Sequence, residues 1–232
     1  MSWVYSGLRR PVEAVSAEAV GRGTTPGRPV SAPDPLRTPL NMCPTDALRS
    51  ENDRVVVDYP RCINCLRCVR EPPSLPVEVG YEPARLLTEP LAAAFRHSVH
   101  VRVVDAGDCG ACLNEIRQLT GPVYSLHRFG VYVTPTPRDA DVLVVVGPVT
   151  RAMEGALMAT YDALPDPKRV LAVGACALSG GIFRGSFAVR DGLVPSLGIP
   201  VDAMVAGCPP PPLAILEALL VLTGQVAAGG RS

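Results

Sequence analysis

The chain has 232 residues, eight cysteines, 25 prolines, and 22 basic and 22 acidic side chains that give a formal net charge of zero. Balanced charge gives no electrostatic reason to expect nucleic acid as a partner. The longest apolar run, residues 213–222, is about half a bilayer span, so no direct membrane span is expected. Residues 1–10 lack a signal-peptide pattern, which predicts a cytoplasmic chain whose cysteines serve metal or redox chemistry rather than disulfides.

The first 98 residues show three kinds of composition. Residues 1–38 are rich in proline and glycine without apolar periodicity, which predicts an extended arm that becomes ordered against a partner. Residues 39–80 are rich in turns and cysteine, with a strand predicted at 55–57 and too little apolar material for an independent core. Residues 81–98 are predicted to be a linker with helical tendency.

From residue 99 onward, apolar β-branched runs alternate with helical stretches. Strands are predicted at 99–104, 141–146, 170–173 and 201–205, and helices at 114–119, 150–163 and 211–222. This alternation predicts an α/β domain over residues 99–227 with a doubly wound parallel sheet, followed by a tail at 228–232. Ligands bind at the carboxyl ends of the strands in such sheets, and Cys109, Cys176 and Cys208 each follow a predicted strand end.

The first four cysteines have ferredoxin spacing. Cys62, Cys65 and Cys68 form C-x2-C-x2-C, and Cys43-Pro44 supplies the separate C-P of a bacterial ferredoxin. The ligand positions of a second ferredoxin cluster carry no cysteine. We therefore predict a small α+β ferredoxin-like domain over residues 39–80 with a single [4Fe-4S] cluster on Cys43, Cys62, Cys65 and Cys68. A structural zinc site with four thiolates is the alternative.

The other four cysteines are Cys109, Cys112, Cys176 and Cys208. The C-x-x-C pair alone is also compatible with a thioredoxin-like dithiol. However, Cys176 and Cys208 lie in equivalent strand-end loops beside glycine or proline, which let the backbone approach a bulky inorganic group. Four thiolates at one sheet edge predict a second [4Fe-4S] site.

Several segments between residues 99 and 225 resemble one family in the same order. They are residues 105–116, 124–130, 136–141, 174–183 and 199–210. The family contains the B subunit of respiratory complex I and the small subunit of [NiFe] hydrogenases. The resemblance implies a flavodoxin-like domain whose four cysteines hold a [4Fe-4S] cluster beside a catalytic large subunit. It also implies that the chain is a non-catalytic electron-transfer subunit of an oxidoreductase complex.

One detail of the cysteine pattern divides this family. Complex I subunits have two adjacent cysteines at the first ligand position, whereas Cys109-Gly110-Ala111-Cys112 followed by Glu115 resembles the hydrogenase form. This implies a hydrogenase-like subunit with Glu115 as a candidate for proton transfer, and the short chain, without a further cluster extension, implies the membrane-bound, formate hydrogenlyase type. An acid in the first turn of a helix is the alternative explanation of Glu115.

The same resemblance implies the partners and the location of the chain. The expected partners are a catalytic large subunit and further iron–sulfur and membrane subunits, which would place the chain at the cytoplasmic face of a membrane. Two other functions stay open at this point. They are a quinone-reducing module like that of complex I and a zinc-bound structural module.

Overall fold

The computed structural model describes residues 28–33, 40–70, 75–78, 81–193 and 197–226. The first three ranges form an N-terminal module. Its elements are β1 (Arg28–Pro29), β2 (Ala32–Pro33), β3 (Leu48–Glu51), β4 (Arg54–Val57), α1 (Arg67–Arg70) and β5 (Val77–Glu78). Strands β2, β4 and β3 form an antiparallel sheet in that order, and β1 pairs antiparallel with β5.

A tight hairpin organises this module. Strands β3 and β4 are joined by Asn52 and Asp53, which both have positive φ (50° and 55°). These residue types tolerate the left-handed conformation that a two-residue hairpin needs. Val55 and Val57 then point into a small core, and the strand predicted at 55–57 is confirmed as part of β4.

The predicted arm is described only at residues 28–33. There, β1 and β2 pair with strands of the same chain, so this piece adds to the N-terminal module. Residues 1–27 and 34–38 of the arm lie outside the described residues, as does the whole of the predicted tail.

The larger part of the molecule is an α/β domain built on one sheet. Its strands are β6 (Arg85–Leu86), β7 (Val99–Asp105), β8 (Val131–Val133), β9 (Val142–Val146), β10 (Arg169–Val173) and β11 (Ala203–Val205), in the order β6-β11-β10-β9-β7-β8. Strand β6 is antiparallel to β11, and the other neighbours are parallel. The five parallel strands follow the order 2-1-3-4-5 of flavodoxin-like sheets, so the predicted parallel α/β fold is confirmed.

Helices cover both faces of this sheet. They are α2 (Ala111–Gln118), α3 (Arg151–Ala163), α4 (Gly174–Ser179) and α5 (Pro212–Leu222). One core cluster lies between the sheet and α2 and α5, and a second lies under α3 and α4. All five residues of β9 are buried, as expected for a central strand covered on both sides. No helix in the described ranges is both long and apolar enough to cross a membrane.

Residues 81–98, the predicted linker, also contribute a strand and core side chains to the α/β domain. Their helical tendency is realised only as one 3-10 turn, Ala93–Phe95, because three alanines are too few to sustain a helix. The segment instead supplies β6 at the edge of the sheet, and it buries Tyr81 and Leu91 in the main core. The two parts of the chain are therefore joined by packed structure.

Candidate functional site

The four cysteines of the α/β domain lie together at the carboxyl edge of the sheet, and we call them the C-terminal set. Cys109 and Cys112 follow β7, Cys176 lies in α4 directly after β10, and Cys208 follows β11. The thiols of Cys176 and Cys208 are hydrogen-bonding neighbours. Cys112 interacts electrostatically with Cys208 and Cys109. Because the parallel strands end at the same edge of the sheet, Cys109 and Cys208 lie in the same set although they are 99 positions apart in sequence.

Two aspartates shape the loop that carries the C-x-x-C pair. Asp105 Oδ1 accepts hydrogen bonds from the backbone N–H groups of Gly107 (2.9 Å) and Asp108 (2.6 Å). Asp108 Oδ2 accepts from Gly110 (3.0 Å) and from Leu113 (3.1 Å), at the start of α2. These bonds turn the chain sharply after β7. As a result Cys112 is buried in the first turn of α2 while Cys109 is exposed.

Glycine keeps the backbone close to two of these sulfurs. Gly174 has a φ of +90°, and a Cβ atom there would lie 2.6 Å from Cys112 Sγ. Gly181 has a φ of +52°, and its Cβ would lie 2.9 Å from Cys176 Sγ. A side chain at either position would occupy space beside the thiols, and the left-handed conformation itself favours glycine.

Replacing Gly174 with alanine is therefore expected to prevent the C-terminal set from holding an inorganic group. The new methyl would collide with Cys112 Sγ, and the positive φ would be strained. Gly155→Ala is the matched control, since Gly155 lies inside helix α3 with nothing within 4 Å of its Cβ position. The measurement is the iron content of each purified variant. Equal iron in Gly174→Ala and Gly155→Ala would contradict the expectation.

Burial and neighbouring groups shift the acidities of these thiols. Burial raises the pKa of Cys112 to about 12, and the Asp108 carboxylate adds to this effect. The hydrogen bond to Cys208 raises the pKa of Cys176, and the same bond lowers the pKa of Cys208 to about 7. Apart from Cys208, the buried thiols therefore keep their protons near neutral pH. A metal ion or cluster that binds these sulfurs would have to displace the protons, because metal ligation needs the thiolate.

The other four cysteines also lie together, and we call them the N-terminal set. Cys43, Cys62, Cys65 and Cys68 line one small cavity. Backbone N–H groups point at two of the sulfurs: that of Ala47 lies 3.2 Å from Cys43 Sγ, and that of Asn64 lies 3.4 Å from Cys62 Sγ.

The loop between Cys62 and Cys68 wraps around this cavity. Asn64 and Leu66 have positive φ values of 52° and 58°, which turn the chain twice within a few residues. Burial, together with a smaller contribution from the neighbouring cysteines of the set, raises the pKa of Cys62 and of Cys68 to about 11 in each case. The short C-x2-C-x2-C spacing thus produces a compact, thiol-lined pocket.

All the candidate metal ligands of both sets are cysteine thiols. Soft sulfur ligands suit iron–sulfur clusters or zinc. Among the described side chains, no three from His, Cys, Asp and Glu are arranged to share a single metal ion, whereas a [4Fe-4S] cluster takes each thiolate on a different iron. The backbone N–H groups and the glycine-lined approach to sulfur are features that also modulate iron–sulfur clusters.

Glu115 lies in α2, one residue beyond the first helical turn, so its alternative explanation as a first-turn acid is wrong. Its side chain lines a cavity of about 360 Å³ between the N-terminal module and the α/β domain. Cys62 of the N-terminal set and Cys208 of the C-terminal set line the same cavity. Glu115 and one cysteine from each set therefore border the same cavity.

Other residues that line this cavity could not be identified as site residues from the sequence. Arg28, Tyr59 and Glu82 line it together with the two cysteines. Arg28 and Glu82 come from the predicted arm and the predicted linker, where neither composition nor spacing distinguishes them. Only their contacts in the folded chain reveal them.

The fold and the site define an α/β protein with a thiol cluster at the carboxyl edge of its sheet. A family model described as NADH ubiquinone oxidoreductase, 20 Kd subunit, matches residues 109–222, the range that contains the whole C-terminal set. The chain belongs to this family, and the predicted resemblance is confirmed.

Three relatives illustrate the range of the family. An uncharacterized protein of Methanocaldococcus jannaschii is 48% identical over 125 residues, which cover 54% of this chain and 82% of the relative. Formate hydrogenlyase subunit 7 of Escherichia coli is 39% identical over 134 residues, 58% of this chain and 52% of the relative. NAD(P)H-quinone oxidoreductase subunit K of Prochlorococcus marinus is 42% identical over 116 residues, 50% and 46%. The chain thus spans about half the length of the last two.

Proposed function

We propose that this chain is the electron-transfer small subunit of a multisubunit oxidoreductase of the hydrogenase-like, formate hydrogenlyase type. The observation that carries the proposal is the meeting of Cys109, Cys112, Cys176 and Cys208 at the carboxyl edge of the sheet. This set lies wholly inside the part of the chain that matches the family. The chain itself would perform no bond chemistry, which belongs to a catalytic large subunit.

The proposed cofactors are two [4Fe-4S] clusters, one on each cysteine set. Such clusters supply one-electron transfer when bound. The thiolates would hold them, and the N–H groups of Ala47 and Asn64 would donate to the sulfurs of the N-terminal set. Cys112 and Cys176 are buried, so water is kept from much of the C-terminal set. Hydrogen bonding and burial are the means by which a protein tunes cluster potentials.

The N-terminal module is proposed to act as a ferredoxin-like domain over residues 39–80. Cys65 is exposed there, which leaves one side of the N-terminal set open to a redox partner. The α/β domain, residues 99–227, would then connect this set to the large subunit through the C-terminal set. Membrane and further iron–sulfur subunits of the complex would place the chain at the cytoplasmic face of a membrane.

Glu115 favours the hydrogenase-like form. It stands three residues after Cys112, and its half-buried carboxylate faces a cavity that Cys208 also lines. A partly buried carboxylate beside a redox centre is suited to proton transfer. The second candidate function is a quinone-reducing module, favoured by the family description and by the relative from Prochlorococcus marinus.

The experiment that separates these functions uses the complex purified anaerobically with its large subunit. For the hydrogenase-like function, we expect nickel in the complex and loss of visible cluster absorbance when hydrogen gas is added. The second candidate would instead be established by a complex that lacks nickel and shows no absorbance change with hydrogen. The reduced clusters of that complex would be reoxidised by a quinone.

A further inference from the structure

The N-terminal module contacts the α/β domain through a short loop directly before Cys62. Tyr59 in this loop packs against the module's core and against the core under α3 and α4. Next to it, the Ser179 hydroxyl of α4 donates a hydrogen bond to the Pro60 carbonyl at 3.1 Å. The Cys62 N–H donates to the carbonyls of Asp58 (3.1 Å) and Tyr59 (3.0 Å), so the loop is internally tied as well.

An ion pair lies on the cavity side of this contact. Arg28 Nη1 donates to Glu82 Oε2, and these side chains are only 12% and 13% exposed. Arg28 also pairs with Glu78 at 3.2 Å, and its guanidinium lies 4.9 Å from the centre of the Tyr59 ring. The Tyr59 hydroxyl closes the arrangement by donating to the Pro29 carbonyl at 3.0 Å. We call Arg28, Tyr59 and Glu82 the interdomain clamp.

The clamp joins parts of the chain that carry different cysteine sets. Arg28 belongs to β1, which pairs with β5 of the N-terminal module. Glu82 follows Tyr81, whose ring is buried in the main core of the α/β domain. All three clamp residues line the cavity that Cys62 and Cys208 share. Arg28 and Glu82 each keep a second partner, Glu78 and Arg85, so a substitution at either residue breaks the link between them without leaving the other charge unpaired.

We propose that Arg28 is a positioning residue that holds the N-terminal cysteine set against the C-terminal set within one chain, so that Cys62 and Cys208 line one shared cavity. The inference rests on the proposed function, because it assumes that both sets carry clusters. In this arrangement the two cysteine sets are held near each other within one molecule. A separate ferredoxin would have to find the same geometry by diffusion at each encounter.

The experiment compares electron paramagnetic resonance spectra of the full chain with both clusters loaded and reduced by excess dithionite. Two reduced clusters held close together show spin–spin splitting, which weakens steeply as their separation grows. We expect splitting in the unsubstituted chain and its loss in Arg28→Gln and Glu82→Gln at unchanged iron content. Arg85→Gln is the matched control, because Arg85 also pairs with Glu82 at 3.2 Å but is half exposed and lies outside the cavity lining.

Several results would overturn the proposal. They are unchanged splitting in both clamp variants, an equal loss in Arg85→Gln, or no splitting in an unsubstituted chain that holds both clusters. A loss of iron in the clamp variants would also overturn it, since Arg28 would then support the module's own fold. Iron content of the unsubstituted chain tests the proposed function, and splitting tests the clamp, so the two failures are distinguishable.

Discussion

Substitution of Cys112 by serine is expected to remove about half of the iron from the loaded protein and to abolish electron transfer to the large subunit. Cys112 is a buried member of the C-terminal set, and it interacts with Cys109 and Cys208. A hydroxyl oxygen is a harder and less acidic ligand than a thiolate, and it suits iron–sulfur clusters poorly. The N-terminal set is separate and should keep its own cluster.

The matched variant is Cys62→Ser, which should remove the other half of the iron and leave the C-terminal set loaded. Because Cys62 is a member of the N-terminal set, its variant should retain only the signal of the cluster beside the large subunit. Iron analysis and electron paramagnetic resonance distinguish the two results. If either serine variant kept all of the iron, the assignment of that cysteine as a ligand would be wrong.

Substitution of Glu115 by glutamine is expected to slow hydrogen turnover by the complex about 10²-fold, the usual size of a lost proton-transfer group. The change removes a titrating carboxylate and keeps the shape of the side chain. Iron content should not change, because Glu115 is not among the proposed ligands. Glu115→Asp should recover part of the rate, since it restores a carboxylate at a shorter reach.

The control for Glu115 is Glu89→Gln, the same chemical change at an exposed position outside the cavity. It should leave the rate within twofold of the unsubstituted complex, since exposed substitutions away from special features have small effects. Hydrogen evolution with an artificial electron donor is the measurement. A Glu115→Gln complex as fast as the Glu89→Gln complex would remove Glu115 from the proton path.

Much of the α/β domain was predictable because its strands are strongly patterned. Strand β9 is five consecutive Val and Leu residues, and the buried β10 has the same character. Strand β8 was not predicted, since Val-Tyr-Val is only three residues long and is too short to establish a strand period. Strand β6 was missed for a related reason: two residues paired at a sheet edge impose no periodicity on the sequence.

The cysteine sets were predictable to different degrees. The spacing of Cys62, Cys65 and Cys68 is local, so sequence alone brings them together. The C-terminal set depended on a topological rule, because Cys112 and Cys208 meet only if their strands end at the same edge. Neither local spacing nor sheet topology predicts the position of Arg28 and Glu82. Their pairing depends on how the N-terminal module packs, and no local pattern encodes that contact.

The central claim is that the eight cysteines form two complete [4Fe-4S] sites. Its most direct test is the iron, acid-labile sulfide and zinc content of the full chain after anaerobic purification. The account predicts about eight irons and about eight sulfides per chain, with zinc absent. About four irons, or zinc in place of iron, would contradict it.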